Sequence, residues 1–182
     1  LKQYLIQYKP FLMFLAKFFL TYIVLTIIYQ FYLNTFEGNK MDLITQLVAK
    51  NTEQLMHFFN ADLIVVKDSE SYIKLIYKQQ YLARIIEGCN AISVIILFAS
   101  FIVAFSGKVK QTLFFIITGG IVIYILNVIR IALLVVLMYN YPQEGELLHG
   151  TLFPLFIYGV VFILWVIWVN KFSLYAKKTI RT

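Results

Sequence analysis

The chain has 182 residues, 61% of them hydrophobic, 18% aromatic and only 14% charged, with a mean hydropathy of +0.79. Soluble globular domains sit nearer about 45–50% apolar and about 25% charged, which excludes that class here. The formal net charge of +7 would point to nucleic acid in a soluble protein. Here the cations flank apolar runs and act as topology determinants against an anionic leaflet, so membrane lipid is the expected partner and nucleic acid is not. A single cysteine excludes an internal disulfide and leaves a structural or a reactive thiol.

The first apolar run covers about residues 10–33 and carries one charge, Lys17, close enough to the near surface to snorkel. It is too long for a signal peptide, and no small-residue cleavage site follows, so it reads as a membrane span. Residues 34–86 differ in character and read as extracytoplasmic. Up to Glu87 this stretch holds seven carboxylates (Glu37, Asp42, Glu53, Asp62, Asp68, Glu70 and Glu87) and six cations. Leu43, Leu47, Val48, Leu55, Met56 and Phe59 recur at helical spacing, predicting an amphipathic helix at the membrane surface. Asp62–Val66 and Tyr72–Tyr77, around the polar run Lys67-Asp-Ser-Glu-Ser71, predict a small β-hairpin.

The second apolar run, Cys89–Phe105, is short for a span, so its helix is expected to begin earlier and cover about 87–106. The third span is expected over 112–139 and the fourth over 150–170, with His149 at its entrance. The fold class is therefore an all-α polytopic membrane protein: one membrane-embedded domain, residues 1–182, of about four spans. An extracytoplasmic amphipathic helix and hairpin complete it. Four spans put both termini on one side. Lys2, Lys9, Lys108, Lys110, Lys171, Lys177, Lys178 and Arg181 fall on that face, and all nine carboxylates fall on the other. The positive-inside rule makes the first face cytoplasmic.

In this topology three side chains stand near the outer surface. Cys89 lies at the outer end of span two, and His149 at the outer end of span four. Arg130 lies in span three, about nine residues (roughly 14 Å of helix) before the outer loop. Taken singly, Cys89 reads as packing, His149 as a helix-end polar group, and His57 as a surface residue. Arg130 is harder to explain, because an arginine in a span costs a few kcal/mol and marks a functional candidate. Together they form a chemical set. A thiolate is favoured beside an imidazolium or guanidinium. A histidine takes the thiol proton and returns it to the leaving amine. An arginine stabilises the anionic tetrahedral intermediate. Asn127 lies one helical turn before Arg130 and faces the same side. Gly119-Gly120 is a weak mark of close helix packing.

Three segments, EGCNAIS (Glu87–Ser93), NVIRIALL (Asn127–Leu134) and LHGTLFP (Leu148–Pro154), resemble the exosortase/archaeosortase family of membrane transpeptidases, in its compact four-span form of Bacteroidetes-type bacteria. The resemblance covers roughly residues 60–165. It implies catalytic roles for Cys89 (nucleophile), Arg130 (stabiliser of the intermediate) and His149 (acid/base), supported by Asn127. It also implies cysteine protease/transpeptidase activity on exported proteins ending in a recognition motif, an apolar helix and a basic tail. A thioester would pass to an amine acceptor or to water, at the periplasmic face of a bacterial inner membrane. The common form follows the cysteine with Ser-Gly, where this chain has Asn90-Ala91. No cofactor is implied, and one Cys and two His spread along the chain make no metal cluster. Two other readings compete: a non-catalytic membrane scaffold, in which Cys89 is inert, and a small transporter that binds an anion at Arg130.

Overall fold

The computed structural model describes residues 2–36, 41–67, 72–105 and 107–173, with side chains from residue 8 onward. The polar hairpin turn at 68–71, the acidic and basic residues Glu37 and Lys40, and the tail cations Lys177, Lys178 and Arg181 lie outside the described residues, as does the Lys2 side chain.

Helix α1 (Lys2–Asn34) is a single long rod, followed by α2 (Leu43–Phe58). Asp42 starts α2 as its N-cap, its carboxylate accepting from the backbone N–H groups of Ile44 (2.9 Å) and Thr45 (3.0 Å). The buried face of α2 is Thr45, Val48, Ala49, Thr52 and Met56, while Leu43, Leu47, Phe58 and Phe59 remain exposed. The amphipathic helix is thus present, with two threonines on the inner face in place of some of the expected leucines.

The expected hairpin is a three-stranded antiparallel sheet, β1 (Leu63–Lys67), β2 (Ile73–Tyr77) and β3 (Gln80–Ile85), in that order. Strand β3 was not foreseen. Its turn is Lys78-Gln79, both at positive φ (48° and 65°), a two-residue hairpin geometry usually marked by Asn-Gly. Neither that dipeptide nor the mixed pattern of QYLARI announces a strand.

Helix α3 (Ile92–Ala104) has 13 residues, α4 (Val109–Asn140) has 32, and α5 is the short turn Gly145–Leu147. A π-helical turn (Leu148–Leu152) then runs into α6 (Phe153–Lys171). Among the described residues three stretches are long and apolar enough to cross a bilayer: Tyr8–Asn34, Val109–Asn140 and Pro142–Lys171. The second apolar run differs from expectation. Its helix begins at Ile92, not near residue 87, because Ala91 has φ 64° and breaks the helical backbone. The 13-residue α3 extends roughly 20 Å, shorter than a hydrocarbon core of about 30 Å.

Helix α3 packs against α1, α4 and α6. At the end where α4 begins, Phe98, Ile102, Ile123, Val161 and Trp168 form an apolar core. Gly119 admits the Phe98 ring, which a Cβ there would strike, whereas a Cβ on Gly120 would meet Ile95 at an ordinary 3.6 Å. Gly107 lies against Trp168, so Lys108, Lys110 and Lys171 share one end of the bundle. At the far end of α4, Val128, Ile131, Ala132 and Val135 pack with Val48, Met56, Leu63, Leu75 and Ile85 of α2 and the sheet. One helix is therefore the spine of both the bundle and the mixed α/β cap.

Candidate active site

The site is built where the bundle meets the cap. Strand β3 ends at Ile85, and Glu87–Cys89 form a single 3₁₀ turn, with the Cys89 N–H donating to the Ile86 carbonyl at 2.8 Å. Cys89 is half-buried against the cap core. From α4, the Asn127 side chain donates through Nδ2 to the Cys89 carbonyl at 2.7 Å. Arg130, one turn on, points a guanidinium nitrogen at Asn127 Oδ1 over a long 3.4 Å. Its Nε is buried with no acceptor among the described residues. Arg130 thus has donors to spare, one turn from the side chain that holds the Cys89 carbonyl, in a half-buried setting.

The depth follows from helix arithmetic. From Val109 to Arg130 is roughly 32 Å of α4, so a helix that enters the hydrocarbon near Val109 brings Arg130 to its far edge. There the guanidinium needs little snorkelling.

Asn90 shapes the loop beside the thiol. It is 1% exposed, and its Nδ2 reaches the Tyr29 hydroxyl of α1 at 2.7 Å and the Thr45 hydroxyl of α2 at 3.1 Å. Its Oδ1 accepts from the Ile92 N–H at 3.0 Å, capping α3 where Ala91 has no side-chain group to do so. Ala91 is left-handed, a conformation that costs a non-glycine residue about 1 kcal/mol or more.

His149 lies on the π-helical turn, is exposed, and makes no hydrogen bond among the described residues. Among the described residues no hydrogen bond joins it to Cys89, Asn127 or Arg130. Its neighbour Leu148 packs on Leu134, and Leu152 and Phe153 line one groove with Arg130. The turn that carries His149 thus packs on α4 one turn past Arg130, at Leu134. The structure joins Cys89, Asn127 and Arg130 and leaves His149 apart. His57 binds the Leu63 carbonyl at 2.8 Å, a structural tie between α2 and β1.

Two residues around this loop were missed from sequence, Tyr29 and Thr45. Tyrosines are too common here (13 in the chain) for type alone to have found them. Among the described residues no group of three His, Cys, Asp or Glu side chains could hold a metal ion.

A polytopic membrane protein whose cysteine loop is tied through an asparagine to an arginine of its long central helix is the class these observations define. The chain matches the family described as transmembrane exosortase (Exosortase_EpsH) over residues 6–173, and it belongs to that family. No curated protein and no solved structure matches it.

Proposed function

We propose that this chain is a membrane-embedded cysteine protease/transpeptidase that cleaves the C-terminal sorting signal of exported proteins. The observation that carries the reading is the hydrogen-bonded chain from Arg130 through Asn127 to the Cys89 carbonyl. Cys89 Sγ attacks the scissile carbonyl and its proton leaves to His149. The oxyanion is met by the unused donors of Arg130, and collapse expels an amine that takes the proton back from His149. The resulting thioester passes its acyl group to an amine acceptor or to water. His149 comes into reach with substrate in place, as acid–base contacts tighten in the reactive complex.

The substrate ends in a recognition motif, an apolar helix and a basic tail. Its helix lies beside the spans with its outer end at Cys89. The enzyme resides in a bacterial inner membrane with cytoplasmic termini and a periplasmic site. The grouping of Lys108, Lys110 and Lys171 at one end of the bundle, and of Glu87 with Cys89 at the other, supports that orientation.

The test is C-terminal peptide mapping of envelope proteins by mass spectrometry, in cells carrying the wild-type chain or Cys89→Ala at equal membrane levels. Tails that are lost in wild type and retained in Cys89→Ala are expected. Identical C-termini in both would sink the reading and favour a scaffold.

A further inference from the structure

We propose that Asn90 is a positioning residue that holds the Cys89 thiol by tying its loop to helices α1 and α2, a role that rests on reading Cys89 as the nucleophile. The loop has no regular structure of its own: a single 3₁₀ turn ends at Cys89, and a left-handed residue follows at Ala91. Such a segment keeps one conformation only if its neighbours impose it. Two asparagines do so from opposite directions. Asn127 holds the Cys89 carbonyl from α4 at 2.7 Å. Asn90, the next residue along, is 1% exposed and uses both ends of its amide. Its oxygen caps Ile92 and fixes the turn into α3. Its nitrogen donates to Tyr29, 61 residues earlier in α1, and to Thr45, 45 residues earlier in α2.

Capping and anchoring are separable. A cap alone would be served by any short acceptor at this position. The anchor needs a donor long enough to meet two hydroxyls on two other elements, and the asparagine amide supplies it. Thr45 is itself fixed by the Asp42 cap on its N–H, so the anchor is seated on an ordered helix start. Through these contacts α1 and α2, which supply none of the reacting groups, take part in setting where the thiol points. A misplacement of about 1 Å at a reacting centre costs about 100-fold in rate, so an anchor of this kind acts on rate more than on fold.

The experiment uses the full chain in membranes and two readouts. One is alkylation of the single cysteine by N-ethylmaleimide. The other is the fraction of uncleaved envelope-protein C-termini. Asn90→Ala/Ala91→Gly removes cap and anchor together while relieving the left-handed alanine. Tyr29→Phe/Thr45→Val removes the two acceptors and leaves the cap on Ile92 intact. In both variants a freed loop exposes the thiol, so alkylation quickens about fivefold. Cleavage falls about tenfold or more over the same change. Loss of folded protein would instead make alkylation biphasic, a fast unfolded fraction beside a folded fraction at the wild-type rate; a single quickened phase with lost cleavage is expected, and a biphasic course with a wild-type slow phase would overturn the anchor. Wild-type values for both readouts in either variant would overturn the anchor, and for Asn90→Ala/Ala91→Gly would reduce Asn90 to a turn former. If Cys89→Ala still cleaves, the functional reading fails, and the alkylation rates alone still decide whether Asn90 holds the thiol.

Discussion

The two ends of α4 pack in different chemical languages. Toward its start, the bundle core is aromatic and aliphatic, centred on Phe98, Phe115 and Trp168. The buried Ser100 hydroxyl there donates to the carbonyl four residues back in its own helix, that of Ile96. Toward its far end, buried polar groups reach across elements: Asn127 to Cys89, Asn90 to Tyr29 and Thr45, and Glu53 to the Val65 N–H. Asn51 meets Tyr124 there as well. A hydroxyl bonded within its helix leaves neighbouring helices free to slide. A bond between elements fixes their relative position. Position is specified where the thiol stands, and the other end supplies packing.

Substitutions can break that contrast. The largest expected effect is Cys89→Ala, which abolishes C-terminal cleavage while leaving thermal stability in detergent within about 1 kcal/mol; a cleaving Cys89→Ala protein ends the catalytic reading. Next is Phe98→Ala in the bundle core. It leaves a cavity beside Gly119 and costs about 3–5 kcal/mol, read as a lowered Tm, with cleavage per folded molecule retained. If cleavage per folded molecule also collapses, the two ends are not separable. Arg130→Ala is expected to slow cleavage about 10²–10³-fold, equivalent to about 3–4 kcal/mol of transition-state stabilisation, with little change in Tm. Arg130→Lys restores part of this, since a single ammonium lacks the guanidinium fork. An unchanged rate in Arg130→Ala would assign the arginine to anchoring alone. The smallest effect is Ala91→Gly, which relieves a left-handed alanine and raises stability by about 0.5–1 kcal/mol. A loss of stability there would show that Asn90 already removes the strain.

How far the sequence could be read follows the same division. The long rods were legible because about 20 apolar residues have few alternatives. The pairing of Asn127 with Arg130 was legible because residues three apart share a helix face. The family was legible from the segments around Cys89, Arg130 and His149. The start of α3 was not, because it depends on Ala91 adopting a conformation that alanine disfavours and that Asn90 enforces. Strand β3 was hidden by a Lys78-Gln79 turn that works only with partner strands in place. Tyr29 and Thr45 were out of reach for a simpler reason. Hydrogen bonds across 61 and 45 residues leave no periodic trace in a single chain.

The short α3 has a consequence for the depth of the thiol. A 13-residue helix beside rods of 32 and 33 residues falls roughly 10 Å short of the hydrocarbon thickness. Helices α1, α4 and α6 enclose it, Ser93 being its one exposed residue, so protein and not lipid meets the shortfall. Cys89, just before its start, is thereby recessed: it stands level with Asn127, roughly 20 Å of helix short of the end of α4.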